Sequence, residues 1–217
     1  MAPLNGKAIL FDFDGVLIDS PEYHVRAWVE MFRPYGLELT PERLHRKEGR
    51  RSLEIAREII AENHLDIDDA TLDRLIEEKR SFYRKIADLR LRKDAALAVR
   101  CARGRGWKIG LVSGSYRDNV SAALTGDEFE LFDVLITAED YTRGKPDPEP
   151  YLIASRRLKL APQDCIVVEN APLGIIAAKR AGAKVIALTS TLPASELVGA
   201  DLIIGNLCEL ESLLLQI

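Results

Sequence analysis

The sequence predicts an α/β protein: a Rossmann-like, doubly wound parallel sheet with a helical unit inserted after its first strand. Three observations predict it. Six short runs are almost wholly apolar, the later ones alternate with helical patterns, and one long stretch after the first run holds no strand pattern. Near-continuous apolar runs belong to strands covered on both faces, where no side chain meets water. Strand–helix–strand alternation argues for a parallel sheet with helices on both sides.

Taken in order, the candidate strands are Ala8–Phe11, Lys108–Val112, Val134–Thr137, Cys165–Val168, Lys184–Leu188 and Leu202–Ile204. Helical stretches such as Glu149–Leu158 and Gly174–Arg180 lie between the later ones. From about Pro21 to Arg92 the pattern is helical instead, over Glu22–Tyr35, Pro41–Lys47, Ser52–Glu62 and Ala70–Arg90. Gly36 reads as the residue that ends the first of these helices, because glycine adopts the left-handed conformation without strain. Thr40-Pro41 reads as an N-cap followed by proline at the first helical position, where a missing N–H costs nothing. The division expected is a core of residues 1–18 and 93–217 with a helical cap of residues 19–92. Ligands of open parallel sheets sit beyond the carboxyl ends of the strands. An insertion leaving the first strand would hang over that rim as a lid.

Composition narrows the function. The 217 residues include 30 Lys and Arg against 34 Asp and Glu, a formal net charge of −4. This balance lacks the basic footprint of a nucleic-acid binder, although a small anionic substrate needs only a local cluster of positive charge. Hydrophobic residues make up 47% of the chain, too many for long-range disorder. Cys101, Cys165 and Cys208 cannot all pair and show no metal-binding spacing, and Cys165 sits in an apolar run as a small core residue would. Met1–Lys7 carries no signal-peptide pattern, and no apolar stretch approaches the ~20 residues needed to cross a bilayer. A cytoplasmic monomer without membrane contact is expected.

The strand ends carry the chemistry. Phe11-Asp12-Phe13-Asp14-Gly15 follows the first strand, and alternate residues of extended chain face the same way. Two carboxylates so placed repel unless a proton or cation lies between them, and a hard cation such as Mg²⁺ prefers oxygen ligands. Turn aspartates capping the next element are the alternative. The second strand ends in Val112-Ser113-Gly114-Ser115, where a hydroxyl and close backbone approach suit an anion, or where a serine simply caps a helix. The third leads to Gly144-Lys145-Pro146-Asp147-Pro148, with Lys145 a candidate fixed charge in a proline-stiffened loop, or a solvated lysine. The fourth ends in Glu169-Asn170-Ala171-Pro172, offering oxygen ligands to a hard cation or a helix cap.

Together these four elements resemble the motifs of the haloacid dehalogenase superfamily: Asp12-Phe13-Asp14-Gly15, Ser113, Lys145 and Glu169-Asn170. The resemblance covers nearly the whole chain, and the helical insertion matches that family's C1 cap. It implies a Mg²⁺-dependent phosphohydrolase. Asp12 would be the nucleophile and form an aspartyl-phosphate, and Asp14 the general acid and base. Ser113, the Gly114 N–H and Lys145 would hold the phosphate oxygens. The cation would take Asp12, the Asp14 carbonyl and Asn170, with Glu169 close by. Many relatives have Glu-Asp at the fourth motif, so Asn170 removes a negative charge, and Glu48 in the cap is a candidate to replace it.

The cap pattern is similar to the beta-phosphoglucomutase-like branch, which includes sugar phosphatases and inorganic pyrophosphatases. His24 and Trp28 lie four residues apart on one helical face; His24 could reach the active-site mouth, while Trp28 reads as packing. Glu48-Gly49-Arg50-Arg51 places Arg50 where it could clasp a phosphate. Lys79 is a candidate for the same role, although Arg51, Lys79 and Arg80 also fit a solvated face. If Glu48 reaches the metal, and His24, Arg50 and Lys79 meet a second phosphate, a compact substrate such as pyrophosphate is favoured. The substrate expected is therefore a small phosphorylated metabolite or pyrophosphate, with a phosphohexomutase as the alternative activity.

Overall fold

A computed structural model describes residues 7–214, so the signal-peptide reading of Met1–Lys7 lies almost wholly outside the described residues. Six strands form one parallel sheet: β1 Ala8–Phe11, β2 Lys108–Val112, β3 Val134–Ile136, β4 Cys165–Glu169, β5 Lys184–Leu188 and β6 Leu202–Ile204. Their spatial order is β3-β2-β1-β4-β5-β6. The chain winds outward from β1 through β2 to β3, then returns to the other side of β1 for β4, β5 and β6. The winding direction therefore reverses at the β1/β4 boundary, where Phe11 lies beside Val168. A crevice opens at such a reversal beyond the carboxyl ends. Every residue of β1 and β4 is buried; the apolar runs Ala8–Phe11 and Cys165–Val168 require it, and Glu169 at the end of β4 is the one charged member.

The insertion holds four helices: α1 Pro21–Phe32, α2 Pro41–His45, α3 Ser52–Glu62 and α4 Asp69–Ile86. They enclose an apolar cluster of their own, including Val25, Trp28, Phe32, Leu44, Ile59 and Leu72. The entering and leaving chains meet in an antiparallel bridge, Ile18 to Leu91, supported by the Arg92 N–H donating to the Leu17 carbonyl. Three of these helices are shorter than their sequence patterns, α2 ending at His45 rather than Lys47. The first gives way at Arg33–Tyr35 to one tight 3₁₀ turn containing Pro34, which lacks the N–H an α-helix would use, and Gly36 closes it at φ +69°. The fourth stops at Ile86 because the chain must extend to reach the bridge at Leu91. Thr40 caps α2, accepting from the Arg43 N–H at 3.4 Å.

The remaining helices pack on the sheet: α5 Lys93–Gly104, α6 Arg117–Ala123, α7 Gly126–Phe129, α8 Glu149–Arg157, α9 Pro172–Ala181 and α10 Leu207–Leu214. Two apolar clusters, one per face, sandwich it, and this is the doubly wound arrangement. Cys165 is buried in one of them, and burial pushes its thiol up to about 11. All three cysteines are free. Among the described residues no helix is long and apolar enough to cross a membrane.

Candidate active site

β1 delivers Asp12 and Asp14 to the rim. Asp12 is 2% exposed, and its N–H donates to the Val168 carbonyl, which locks it onto the end of β4. Lys145, fully buried, donates from Nζ to Asp12 Oδ1 at 2.6 Å and to Glu169 Oε1 at 2.7 Å. Burial alone would strip the proton from this lysine, but the two carboxylates outweigh it and hold the ammonium well above its usual range. Burial pushes the Asp12 carboxyl up; Lys145 pulls it down, while Glu169 and Asp14 push it further up.

Glu169 differs from the expectation of a metal ligand. Oε1 accepts from Lys145 and from the Tyr151 hydroxyl at 2.8 Å; Oε2 accepts the backbone N–H groups of Asn170 and Ala171. Both oxygens are occupied, so Glu169 anchors Lys145 and caps the start of α9. A Cβ on Gly174 would fall 1.7 Å from Oε1, so the α9 backbone can lie under this carboxylate only as glycine.

Asp14 has another environment. Oδ1 accepts from the Ser20 hydroxyl at 2.6 Å and from His24 Nε2 at 3.0 Å; Oδ2 accepts from the Ser115 hydroxyl at 2.7 Å, with Ser113 Oγ at 3.4 Å. Burial works to raise its carboxyl, but His24 and the hydroxyls overcome this and hold it well below the ordinary carboxylate range. His24 in turn takes the Lys79 ammonium at Nδ1, 3.0 Å away. An ammonium only donates, so Nδ1 accepts and Nε2 carries the proton that points to Asp14. Burial and Lys79 keep the imidazole neutral, lowering it against the opposite pull of Asp14. Tyr83 stacks on the ring at 4.2 Å and fixes its plane.

Lys79 is 3% exposed, which overturns its reading as part of a solvated face. Its Nζ also lies 4.8 Å from the centre of the Trp28 ring, and Trp28 is cap packing as expected. The lysine could be drawn inside because the α4 stripe Leu72, Leu75, Ile76, Lys79 and Tyr83 is buried as one face. Arg80 also leaves the solvated-face reading in part: it bonds Asp118 across to the sheet domain at 2.9 Å.

Asn170 completes the rim. Its amide nitrogen donates to Thr191 Oγ1 at 2.8 Å and to Glu48 Oε2 at 3.3 Å, while Oδ1 is buried without a hydrogen-bond partner. Gly15, at φ +79°, lets this amide approach; a Cβ there would sit 2.2 Å from its nitrogen. Glu48 arrives from the cap, as the sequence suggested, and its other oxygen takes His45 Nδ1 at 2.5 Å. Burial raises the Glu48 carboxyl, opposed by His45. Among the described residues no three His, Cys, Asp or Glu side chains form a metal cage. The oxygen donors here are of mixed kind instead, a carboxylate on β1, an orphaned amide oxygen and a cap carboxylate.

The cap lies closed on this rim. The backbone carbonyls of Gly49 and Arg50 cover Gly114, where a Cβ would be 2.8 Å from each. Between cap and sheet remains a space of about 40 Å³, lined by Asp14, His24, Trp28, Glu48, Arg50, Lys79 and Ser115 among others. Arg50 reaches it but is not a free clasp: Nη1 donates to Glu58, and Glu54 lies 3.7 Å from Nε. Sequence reasoning left out Ser20, Ser115, Tyr151, Thr191, Glu54 and Glu58. Ser115 had a signal, since it sits two residues after Ser113 in the same turn; Ser20, Glu54 and Glu58 lie within eight residues of the groups they bond, while Tyr151 and Thr191 come from other segments.

Comparison with known proteins agrees with this geometry. The family model for haloacid dehalogenase-like hydrolases matches residues 9–188. Validoxylamine A 7'-phosphate phosphatase from Streptomyces hygroscopicus subsp. limoneus is 36% identical, over 94% of this chain and 95% of that one. Hexitol phosphatase A from Escherichia coli is 35% identical, over 93% and 91%. A solved structure titled putative beta-phosphoglucomutase from Bacteroides vulgatus superposes with a TM-score of 0.87 at 28% identity, covering 99% of this chain and 91% of that one. The paired aspartates, the buried lysine and the matched family together have one reading: the chain belongs to the haloacid dehalogenase-like hydrolases, with phosphatases among its relatives.

Proposed function

We propose that this protein hydrolyses a small phosphate monoester through a phosphoryl-aspartate on Asp12, with residues 19–92 acting as a cap over the core of residues 1–18 and 93–217. The observation that carries the reading is the opposite treatment of two carboxylates two residues apart. Lys145 binds Asp12, whereas Asp14 is tied to a neutral imidazole and two hydroxyls. Unlike environments give unlike roles.

With Oδ1 held by Lys145, Oδ2 of Asp12 is the attacking atom. It forms a bond to phosphorus while the bond from phosphorus to the leaving oxygen breaks, and that oxygen takes a proton from Asp14. Asp14 is a carboxylate before substrate arrives; the like charge of the incoming phosphate raises it and loads the proton. Water then attacks phosphorus, Asp14 takes the proton back, and the Asp12–phosphorus bond breaks to release inorganic phosphate. In this reading Ser113 and the Gly114 N–H would bind the equatorial oxygens, alongside Lys145, as charge shifts in the transition state. His24, fixed by Lys79 and Tyr83, keeps Asp14 oriented throughout.

The residues present suit Mg²⁺. The orphaned Asn170 Oδ1 and the Asp12 and Glu48 carboxyls, both raised by burial, would hold it with the Asp14 carbonyl. Bound there, the ion would offset the repulsion between Asp12 and an anionic phosphate. The closed space is small, about 40 Å³, so the cap has to part to admit an ester.

The test is phosphate release from a panel of sugar, polyol and inorganic phosphates with and without Mg²⁺. Release that depends on the metal and vanishes in Asp12→Asn is expected; a folded Asp12→Asn protein turning over at the wild-type rate would remove the mechanism. The mutase alternative, favoured by likeness to the beta-phosphoglucomutase structure, predicts isomer exchange by phosphorus NMR with little phosphate released.

A further inference from the structure

The cap carries a strip of alternating charge that the proposed hydrolysis does not use. Arg43 bonds Glu62 at 2.5 Å, and Glu62 bonds Lys47 at 3.1 Å. Lys47 bonds Glu58 at 2.5 Å, Glu58 bonds Arg50, and Glu54 lies beyond Arg50 at 3.7 Å. Glu54 also accepts the Gly144 N–H of the core, next to Lys145. The strip holds three cations and three carboxylates and so is neutral as a whole. Only its Arg50 lines the substrate space.

This neutrality bears on what the leaving group can be. The charged side chains lining the space are Asp14, Glu48, Arg50 and Lys79, two of each sign. Lys79 is directed at His24, and Arg50 at Glu58. A second anionic group on the substrate would therefore lose its hydration and find each cation already directed at another side chain, a poor exchange in a part-buried site. A neutral hydroxylated group meets a better match. The wall includes Val25, Trp28, Leu44 and Ile55, and the buried Arg50 Nε has no hydrogen-bond partner.

We propose that Glu58 is a specificity-determining residue. By holding Arg50 in a neutral strip it makes the cap accept a phosphate monoester of an uncharged, hydroxylated leaving group and refuse a substrate with a second phosphate. This deepens the phosphatase reading and rests on it. It also replaces the expectation that Arg50 and Lys79 grip a second phosphate, and with it the preference for pyrophosphate.

The experiment measures kcat/KM with Mg²⁺ for four substrates: a hexitol 6-phosphate, glucose 6-phosphate, glucose 1,6-bisphosphate and pyrophosphate. For the wild type the better monophosphate is expected to exceed both doubly phosphorylated substrates by at least about tenfold. Glu58→Gln, which releases Arg50, is expected to raise the ratio of bisphosphate to monophosphate kcat/KM about tenfold. Adding Arg50→Gln to that variant should cancel the gain. A wild type that prefers pyrophosphate or the bisphosphate overturns the proposal without any variant. An unchanged ratio in a folded Glu58→Gln protein, or a gain that survives loss of Arg50, also overturns it. No phosphate release from any broad panel of substrates would instead strike down the phosphatase reading, and this inference with it.

Discussion

Replacing Lys145 by methionine keeps an unbranched side chain and removes the ammonium. In the wild type that ammonium lies 2.6 Å from Asp12 and 2.7 Å from Glu169, with the three side chains no more than 3% exposed. Breaking one partner from a buried charge cluster costs about 3–5 kcal/mol, because the charges left behind are neither hydrated nor paired. That is a large share of the roughly 5–15 kcal/mol by which a domain is stable. For a chain of this size each kcal/mol moves Tm by about 2–4 °C, so the expected fall is about 6–20 °C. The pH dependence has a definite sign. Without Lys145 nothing opposes the burial that raises the Asp12 carboxyl, so the folded protein binds a proton the unfolded chain has released. Stability from this group is then present below the ordinary carboxylate range and lost as pH rises through the raised value. Melting followed by circular dichroism should show a smaller deficit at pH 5 than at pH 8. A Tm within about 3 °C of wild type, or a deficit independent of pH, would refute the reasoning.

Three other outcomes are expected. In Gly15→Ala the new methyl group meets the Asn170 amide at 2.2 Å and the backbone is held at φ +79°, a strain of about 1–2 kcal/mol. The Mg²⁺ concentration that half-saturates thermal stabilisation should rise about tenfold or more, and unchanged metal stabilisation would count against Asn170 as a ligand. In Asp14→Asn, hydrolysis of an alkyl phosphate should drop about 10²–10⁴-fold. With a nitrophenyl ester, whose leaving group needs no proton, phosphorylated Asp12 should build up by intact mass spectrometry; wild-type turnover of both esters would remove Asp14 from the proton path. For Lys79, burial lowers the ammonium from 10.5 to about 8. The unfolded chain thus holds the extra proton between these values, and stability from this group rises with pH across that window. The kcat profile should fall above about pH 8 in the wild type and lose that limb in Lys79→Met; an identical limb in the variant would show that His24 does not depend on Lys79.

Much of the candidate site was legible because it needed only local information. A strand covered on both faces must be apolar throughout, so the runs ending at Phe11, Val112 and Val168 announce themselves, and the parallel winding then places Asp12, Ser113 and Asn170 at one edge. The amphipathic insertion was visible for the same reason, although its helices stop earlier than their patterns because Pro34 and the Ile18–Leu91 bridge intervene. Which charge answers which was not legible. Glu169 turns to Lys145 and to its own helix rather than outward, and Lys79 crosses 55 residues of chain to reach His24. Arg50, just ahead of α3, turns to Glu58 eight residues on. Apolar periodicity records whether a position is buried, a property each residue carries by itself. Ion pairing falls off steeply with distance through space, so only the packed arrangement of remote segments decides which carboxylates stay free to meet substrate and which are already satisfied.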